Sequence, residues 1–305
     1  MIVRQILLVS IFACICNVGC FRRHSINDFV EIQTFLENSQ IHFAKAYKSM
    51  TTLVISDKSM SVSGVYVYID GNPLIATNAH IYRKTDQFLV GFLNDVDDVR
   101  FVTGNLIFED KIKDVALLDI TFGLNKTLPL LRKVFKGQSI NRLLKLSTID
   151  GDYENYDGID VFEPNSNNMR FIGERSFANS NDILPGRRVF FMGFPLGIGS
   201  KTMDPVVRSG MIATIPHEGI FYIDAMINQG NSGSPVFIQK LNKNADMMKG
   251  IDLYEWELVG IITGYQPEKI NMKLGLKTID VPYNSGLASV VSIQEIKKLY
   301  YDHKK

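Results

Sequence analysis

The sequence predicts an all-β fold, a sandwich or a barrel, and three observations carry that reading. From Thr51 onward the chain is a succession of short runs rich in β-branched and aromatic residues: TTLVI, GVYVYI, PLIATNA, FLVGF, VALLDI, RVFFMGF, GMIATI, IFYIDAM, SPVFI, WELVGIITGY and ASVVSI. Turn residues separate these runs, and no helical period falls between them, which argues against a fold that alternates strands with helices. Helical spacing is confined to the two flanks of this region.

On the leading flank, NDFVEIQTFLENSQIHFAKAYK (residues 27 to 48) spaces Phe29, Ile32, Phe35, Leu36, Ile41 and Phe43 as one face of an amphipathic helix, with Ser25 or Asn27 as its cap. On the trailing flank, SIQEIKKLYYDHKK predicts a short helix whose basic residues lie near its end, where they suit the dipole. The chain of 305 residues, 46% hydrophobic and 21% charged, is long enough for a substantial core. With 33 Lys and Arg against 32 Asp and Glu, no global field draws it to nucleic acid.

The first twenty residues place Arg4 ahead of an apolar run from Ile6 to Cys16 and then small residues, the layout of an export signal that is short for a bilayer span. All three cysteines, Cys14, Cys16 and Cys20, fall in this segment, so the body of the protein is expected to make no disulfide. NVGC, residues 17 to 20, resembles a bacterial lipoprotein processing site, with Asn17 where such sites usually have Leu. Lipidation and membrane attachment through Cys20, a plain cleaved signal and an uncleaved anchor all stay open, and each places the protein outside the cytoplasm, in the bacterial periplasm, cell envelope or surface.

Between Lys145 and Arg170 there is no basic residue, while Asp150, Asp152, Glu154, Asp157, Asp160 and Glu163 accumulate. The glycine and terminal glutamate of an EF-hand loop are not at the required spacing from Asp150 or Asp152, so a solvated acidic connection is expected rather than a calcium site. No metal or organic cofactor is predicted.

INQGNSGSPVF, residues 227 to 237, offers Ser232 as a nucleophile, although Gly230, Gly233 and Pro235 would make a tight turn whatever Ser232 does. A serine hydroxyl needs a neighbouring base and a carboxylate to orient that base. Of the five histidines, His24, His42 and His303 lie in the flanks, which leaves His80 and His217. His80 follows the apolar run PLIATNA, a rigid backbone for a ring, whereas His217 sits in IPHEG, a hairpin turn.

ATNAH around His80, KDVALLDI around Asp114 and QGNSGSP around Ser232 resemble, in the same order, the three motifs of the trypsin-like serine peptidases. The separations, 114 − 80 = 34 and 232 − 114 = 118 residues, suit a fold with His and Asp on one barrel and Ser on the next. FFMGFPLGIGS, VVRSGMIATI, YIDAMINQGNSGSPVF and ELVGIITGY bring the likeness closest to the bacterial HtrA/DegP peptidase domain. It runs from about Thr51 to about Leu299 and is expected to leave no residues for a PDZ domain.

The resemblance implies two six-stranded antiparallel β-barrels of the chymotrypsin fold. The first would occupy about 51–145, the acidic connection 146–170, the second barrel about 171–292 and the closing helix 293–305, after a signal in 1–20 and a helical segment in 21–50. It implies serine endopeptidase activity on proteins or peptides. Ser232 is the expected nucleophile, His80 the base, Asp114 its orienting carboxylate, and the N–H groups of Gly230 and Ser232 the oxyanion hole. Asp119 is the rival carboxylate, and alternation along DVALLDI would face it away from Asp114.

The same likeness implies a substrate pocket walled by Met226, Ile227, Thr263, Gly264 and Tyr265. Without a carboxylate at Met226 it favours a small or medium apolar side chain over Lys or Arg. The leading helix is a candidate for homo-oligomer contacts. The alternative to an enzyme is a catalytically silent, peptidase-like binding or chaperone protein at the cell envelope.

Overall fold

Strand pairing closes on itself twice in this chain. The computed structural model describes residues 47–48, 50–56, 61–81, 87–93, 99–121, 171–200, 202–241, 254–274 and 277–305. The first barrel is built from β1 (Thr51–Ile55), β2 (Ser61–Ile69), β3 (Asn72–Thr77), β4 (Gln87–Leu93), β5 (Val99–Asp110) and β6 (Val115–Thr121). They pair in the order β1-β4-β5-β6-β3-β2, and antiparallel pairing of β1 with β2 completes the ring.

The pairing of β1 along β2 stops at Val65, which leaves the far end of β2 open on that side. A two-residue strand, β7 (Ile172–Gly173), fills the opening by running parallel to Val67 and Tyr68. Residues 172–173 therefore pair with the first sheet, and the first strand of the second barrel starts at Arg188. Its strands are β8 (Arg188–Gly193), β9 (Val206–Ile212), β10 (Ile220–Asp224), β11 (Pro235–Leu241), β12 (Tyr254–Leu274) and β13 (Lys277–Ser292). They close in the order β10-β13-β12-β11-β8-β9. The two barrels are the fold that the sequence implied. The signal with Cys20, most of the leading helix and the acidic connection lie outside the described residues, apart from Tyr47 and Lys48, which are helical.

Period-two alternation explains why so many strands read as unbroken apolar runs. One parity fills a barrel: Val62, Tyr66, Ile75, Leu118 and Ile120 in the first, Val189, Phe191, Val236, Ile238 and Val290 in the second. The other parity, Val65, Val67, Leu74, Ala76, Leu117, Met192, Phe237 and Val291, packs in a third core between the barrels. Strands buried on both faces lose the polar alternation of a half-exposed sheet.

The helix α1 (Ile293–His303) closes that third core with Ile293, Ile296 and Tyr300. Ser292 caps it by accepting a hydrogen bond from the N–H of Glu295. Its polar side chains tie it to both barrels. Asn72 donates to the Tyr300 hydroxyl at 2.9 Å, and Gln294 donates to the carbonyl of Ala178 at 2.9 Å. Glu295, nearly buried, pairs with Lys113 in the turn between β5 and β6, and Lys297 pairs with Glu174. The Lys297 bond lowers the Glu174 pKa below the usual carboxylate range.

Candidate active site

Strand β3 ends at Thr77 and passes through buried Asn78 into a single 3-10 turn, Ala79–Ile81. Ala79 and Ile81 are buried on either side while His80 is exposed between them, so the ring stands on an anchored backbone.

Asp114 lies in the turn that precedes β6, not within the strand as the alternation argument assumed. The side chain of Asp110 shapes this turn, accepting from the N–H groups of Ile112 at 2.8 Å and Lys113 at 2.9 Å. Asp114 itself takes a left-handed backbone, φ +56°, which Asp tolerates better than most residues. Asn78 holds it there by donating to its carbonyl at 2.8 Å. The carboxylate then grips His80 twice: Oδ1 accepts the His80 backbone N–H at 2.8 Å, and Oδ2 lies 2.7 Å from Nδ1. An acceptor at Nδ1 assigns the proton to that nitrogen and leaves the Nε2 lone pair free. Asp119, the rival, is exposed in β6 opposite Leu74 and Asn105.

The Ser232 loop crosses from the second barrel onto the strands that lead to His80. Ser63 of β2 donates its N–H to the carbonyl of Ser232 at 2.7 Å, and the Ser63 carbonyl accepts from the Thr77 hydroxyl at 2.7 Å. The next residue, Gly233 (φ +80°), lies so close that a Cβ would collide with the Ser63 carbonyl. No hydrogen bond joins the Ser232 hydroxyl to His80 in this structure; Ser63 and Thr77 link the loop to the strand that leads to His80.

The loop's peptide planes are held one by one. Gln229 O accepts from Leu196 N–H at 2.6 Å, Asn231 N–H donates to Asn228 O at 3.0 Å, Gly233 N–H to Ile262 O at 2.7 Å and Ser234 N–H to Asn231 O at 3.0 Å. Among the described residues nothing accepts from the N–H groups of Gly230 and Ser232.

A family model of the trypsin-like peptidase domain matches residues 62–242, more than half of the chain. The chain belongs to the trypsin-like peptidase family. Among curated proteins none matches it. The matched span of the peptidase domain runs from β2 through β11 and contains His80, Asp114 and Ser232.

The turn after β8 in this peptidase domain, Phe194 to Gly197, explains the glycine at 230. Gly230 has φ +95°, and a Cβ there would run into the carbonyl of Phe194. Gly230→Ala is expected to displace the loop; if the Gly230 N–H serves as the oxyanion donor that the sequence resemblance implies, kcat falls by about 100- to 1000-fold. Hydrolysis of a chromogenic peptide measures it.

The expected pocket residues divide. Met226 is 47% exposed and Tyr265 42% exposed, and Thr263 and Gly264 are partly buried on β12, with Thr263 bonded to the Ser289 hydroxyl at 2.9 Å. Ile227 differs: it is 3% exposed and packs inside the second barrel. Its carbonyl accepts from Asn284 at 2.6 Å. The side chains of Met226 and Ile227 thus differ in exposure, one half-exposed and the other buried.

Ser63, Asn78, Phe194 and Leu196 were not found from sequence. They act through backbone groups of residues far away along the chain, for which no local spacing exists. Ser234, inside the nucleophile motif, is fully buried, and among the described residues its hydroxyl has no partner. Ser234→Ala removes that desolvated group, so the variant is expected to gain about 1 kcal/mol of stability, read from its thermal midpoint, with kcat unchanged.

Proposed function

We propose that this peptidase domain is a serine endopeptidase in which Ser232 is the nucleophile. The observation that carries the reading is the double grip of Asp114 on His80, placed on the strands against which the Ser232 loop is fastened. In the reaction the Ser232 hydroxyl attacks the scissile carbonyl as Nε2 of His80 takes its proton. His80 then gives that proton to the leaving amine, and water hydrolyses the acyl-enzyme by the same steps in reverse. Asp114 fixes the tautomer and stabilises the imidazolium. The N–H groups of Gly230 and Ser232, without an acceptor among the described residues, receive the oxyanion.

The exposed thioether of Met226 and the side chain of Tyr265 favour an apolar residue before the cleaved bond, with Thr263 and Gly264 beside them. Export, with or without an acyl anchor on Cys20, is supported by Arg4 and the apolar run that follows. The HtrA-like subtype is supported by the FPLG turn, which packs on the nucleophile loop. Labelling by a fluorophosphonate, traced to Ser232 by mass spectrometry, tests the reading; an unlabelled protein sinks it.

The missing hydrogen bond between Ser232 and His80 supports a second reading, a binding protein with a silent site. Catalytic hydrogen bonds are often long before substrate binds, and the same labelling experiment separates the two.

A further inference from the structure

We propose that the buried hydroxyl of Ser63 is a positioning group that holds the oxyanion-binding peptide in its productive orientation, an inference that rests on the reading of Ser232 as nucleophile. Ser63 belongs to the first barrel and is fully buried, yet its hydroxyl serves the second. It donates to the carbonyl of Gly230 at 2.7 Å and accepts from the N–H of Phe194 at 3.1 Å. One hydroxyl thus pins the nucleophile loop to the start of the FPLG turn.

Peptide geometry gives that pin its consequence. Gly230 sits between two peptide planes, and each is fixed by its carbonyl: Gln229 O by Leu196 N–H, Gly230 O by Ser63 Oγ–H. None of the described peptides is cis, so each N–H points away from its own plane's carbonyl. Holding Gln229 O against the turn therefore turns the Gly230 N–H away from it, with no acceptor among the described residues. Glycine adopts either sign of φ at similar cost, so Gly230 by itself offers little resistance to a flip of the 229–230 peptide. That flip would present a carbonyl where the oxyanion must bind. Resistance comes from outside the loop, through the Ser63 hydroxyl on one side and Leu196 on the other. Leu196 has φ +55°, a costly conformation for a branched side chain that persists where neighbours enforce it; the bond from Phe194 to Ser63 anchors the start of that turn.

The slot is built for a small donor. A Cβ on Gly193 would come within 2.6 Å of Ser63 Oγ and would strike Ser234 Oγ. With its proton committed to Gly230 O and no base among its hydrogen-bond partners in the described residues, the Ser63 hydroxyl is no rival nucleophile.

The test compares the full chain with Ser63→Ala and Ser63→Cys. Three quantities are measured: kcat and KM on a chromogenic peptide with an apolar residue before the cleaved bond, affinity for the matching peptide aldehyde, and affinity for the matching peptide acid. The aldehyde forms a tetrahedral adduct with Ser232 and uses the oxyanion hole; the acid forms none. Ser63→Ala is expected to lower kcat and aldehyde affinity together by about 10- to 100-fold, less than the 100- to 1000-fold for an oxyanion donor itself, with KM and acid affinity within about twofold. Ser63→Cys, which keeps a weak donor in the slot, is expected to fall between; if the alanine variant does not fold, the cysteine variant is judged by the same criteria. Unchanged kcat and aldehyde affinity on an active parent, or equal losses for aldehyde and acid, overturn the positioning role alone. A parent that reacts with neither aldehyde nor fluorophosphonate overturns the peptidase reading and this inference with it.

Discussion

Ser232→Ala is expected to lower kcat on casein or a chromogenic peptide by about a million-fold. The substitution removes the oxygen that the proposal makes the nucleophile and nothing that holds the loop. Ser232 contributes to the fold through its carbonyl, bonded to Ser63 N–H at 2.7 Å, and alanine keeps that carbonyl. Its thermal midpoint is therefore expected to match the parent's. Comparable casein cleavage by parent and variant would mean that hydrolysis comes from elsewhere, and the assignment of Ser232 would fail.

Asp114→Asn is expected to cost about 10,000-fold in kcat at neutral pH, with the fold intact. Both carboxylate oxygens accept from His80, one from the backbone N–H and one from Nδ1. An asparagine has a single acceptor oxygen, so its amide N–H₂ must face one of those donors. If it faces Nδ1, the ring answers by moving its proton to Nε2, and a protonated Nε2 cannot take the proton of Ser232. Asparagine tolerates the left-handed backbone at this position as aspartate does, and it keeps the carbonyl that Asn78 bonds. A thermal melt beside the kinetics separates the outcomes: a lost activity with an unchanged midpoint supports the orienting role, whereas parental activity removes Asp114 from the site.

The barrels were legible wherever a strand is buried on both faces. GVYVYI, RVFFMGF and ASVVSI announce themselves because each parity meets a core, one inside a barrel and the other between barrels. β5 was missed although its residues 101–104 are buried on both faces. Its centre, TGN, reads as a turn, but Gly104 is there because β5 passes over Leu118 and Val90, which a Cβ would meet at 3.0 Å; a bulge between Leu106 and Phe108 then shifts the pattern. The far reaches of β12 and β13 escaped as well, since beyond Tyr265 the hairpin is largely exposed and its polar residues look like loop.

The candidate site divides in the same way. His80, Asp114 and Ser232 are each embedded in a short run of characteristic neighbours, so sequence finds them. Ser63 carries no such signature; its partners, Phe194, Gly230 and Ser232, are more than a hundred residues away, and only the folded barrels bring them together. Spacing from Ser232 locates the segment that holds Met226 and Ile227 but not the direction of each side chain, and that of Ile227 is buried in the second barrel.

The ion pair between Lys113 and Glu295 bears on the order in which a ribosome delivers this chain. A nascent polypeptide that has reached Ser292 already holds His80, Asp114 and Ser232, together with every strand of both barrels. It does not yet hold the carboxylate that meets Lys113, the residue immediately before Asp114. The turn that aims Asp114 thus gains its ionic anchor only after the residues beyond 292 have emerged and α1 has docked. Synthesis runs ahead of assembly, and α1, once it emerges, steadies a turn made about 180 residues earlier.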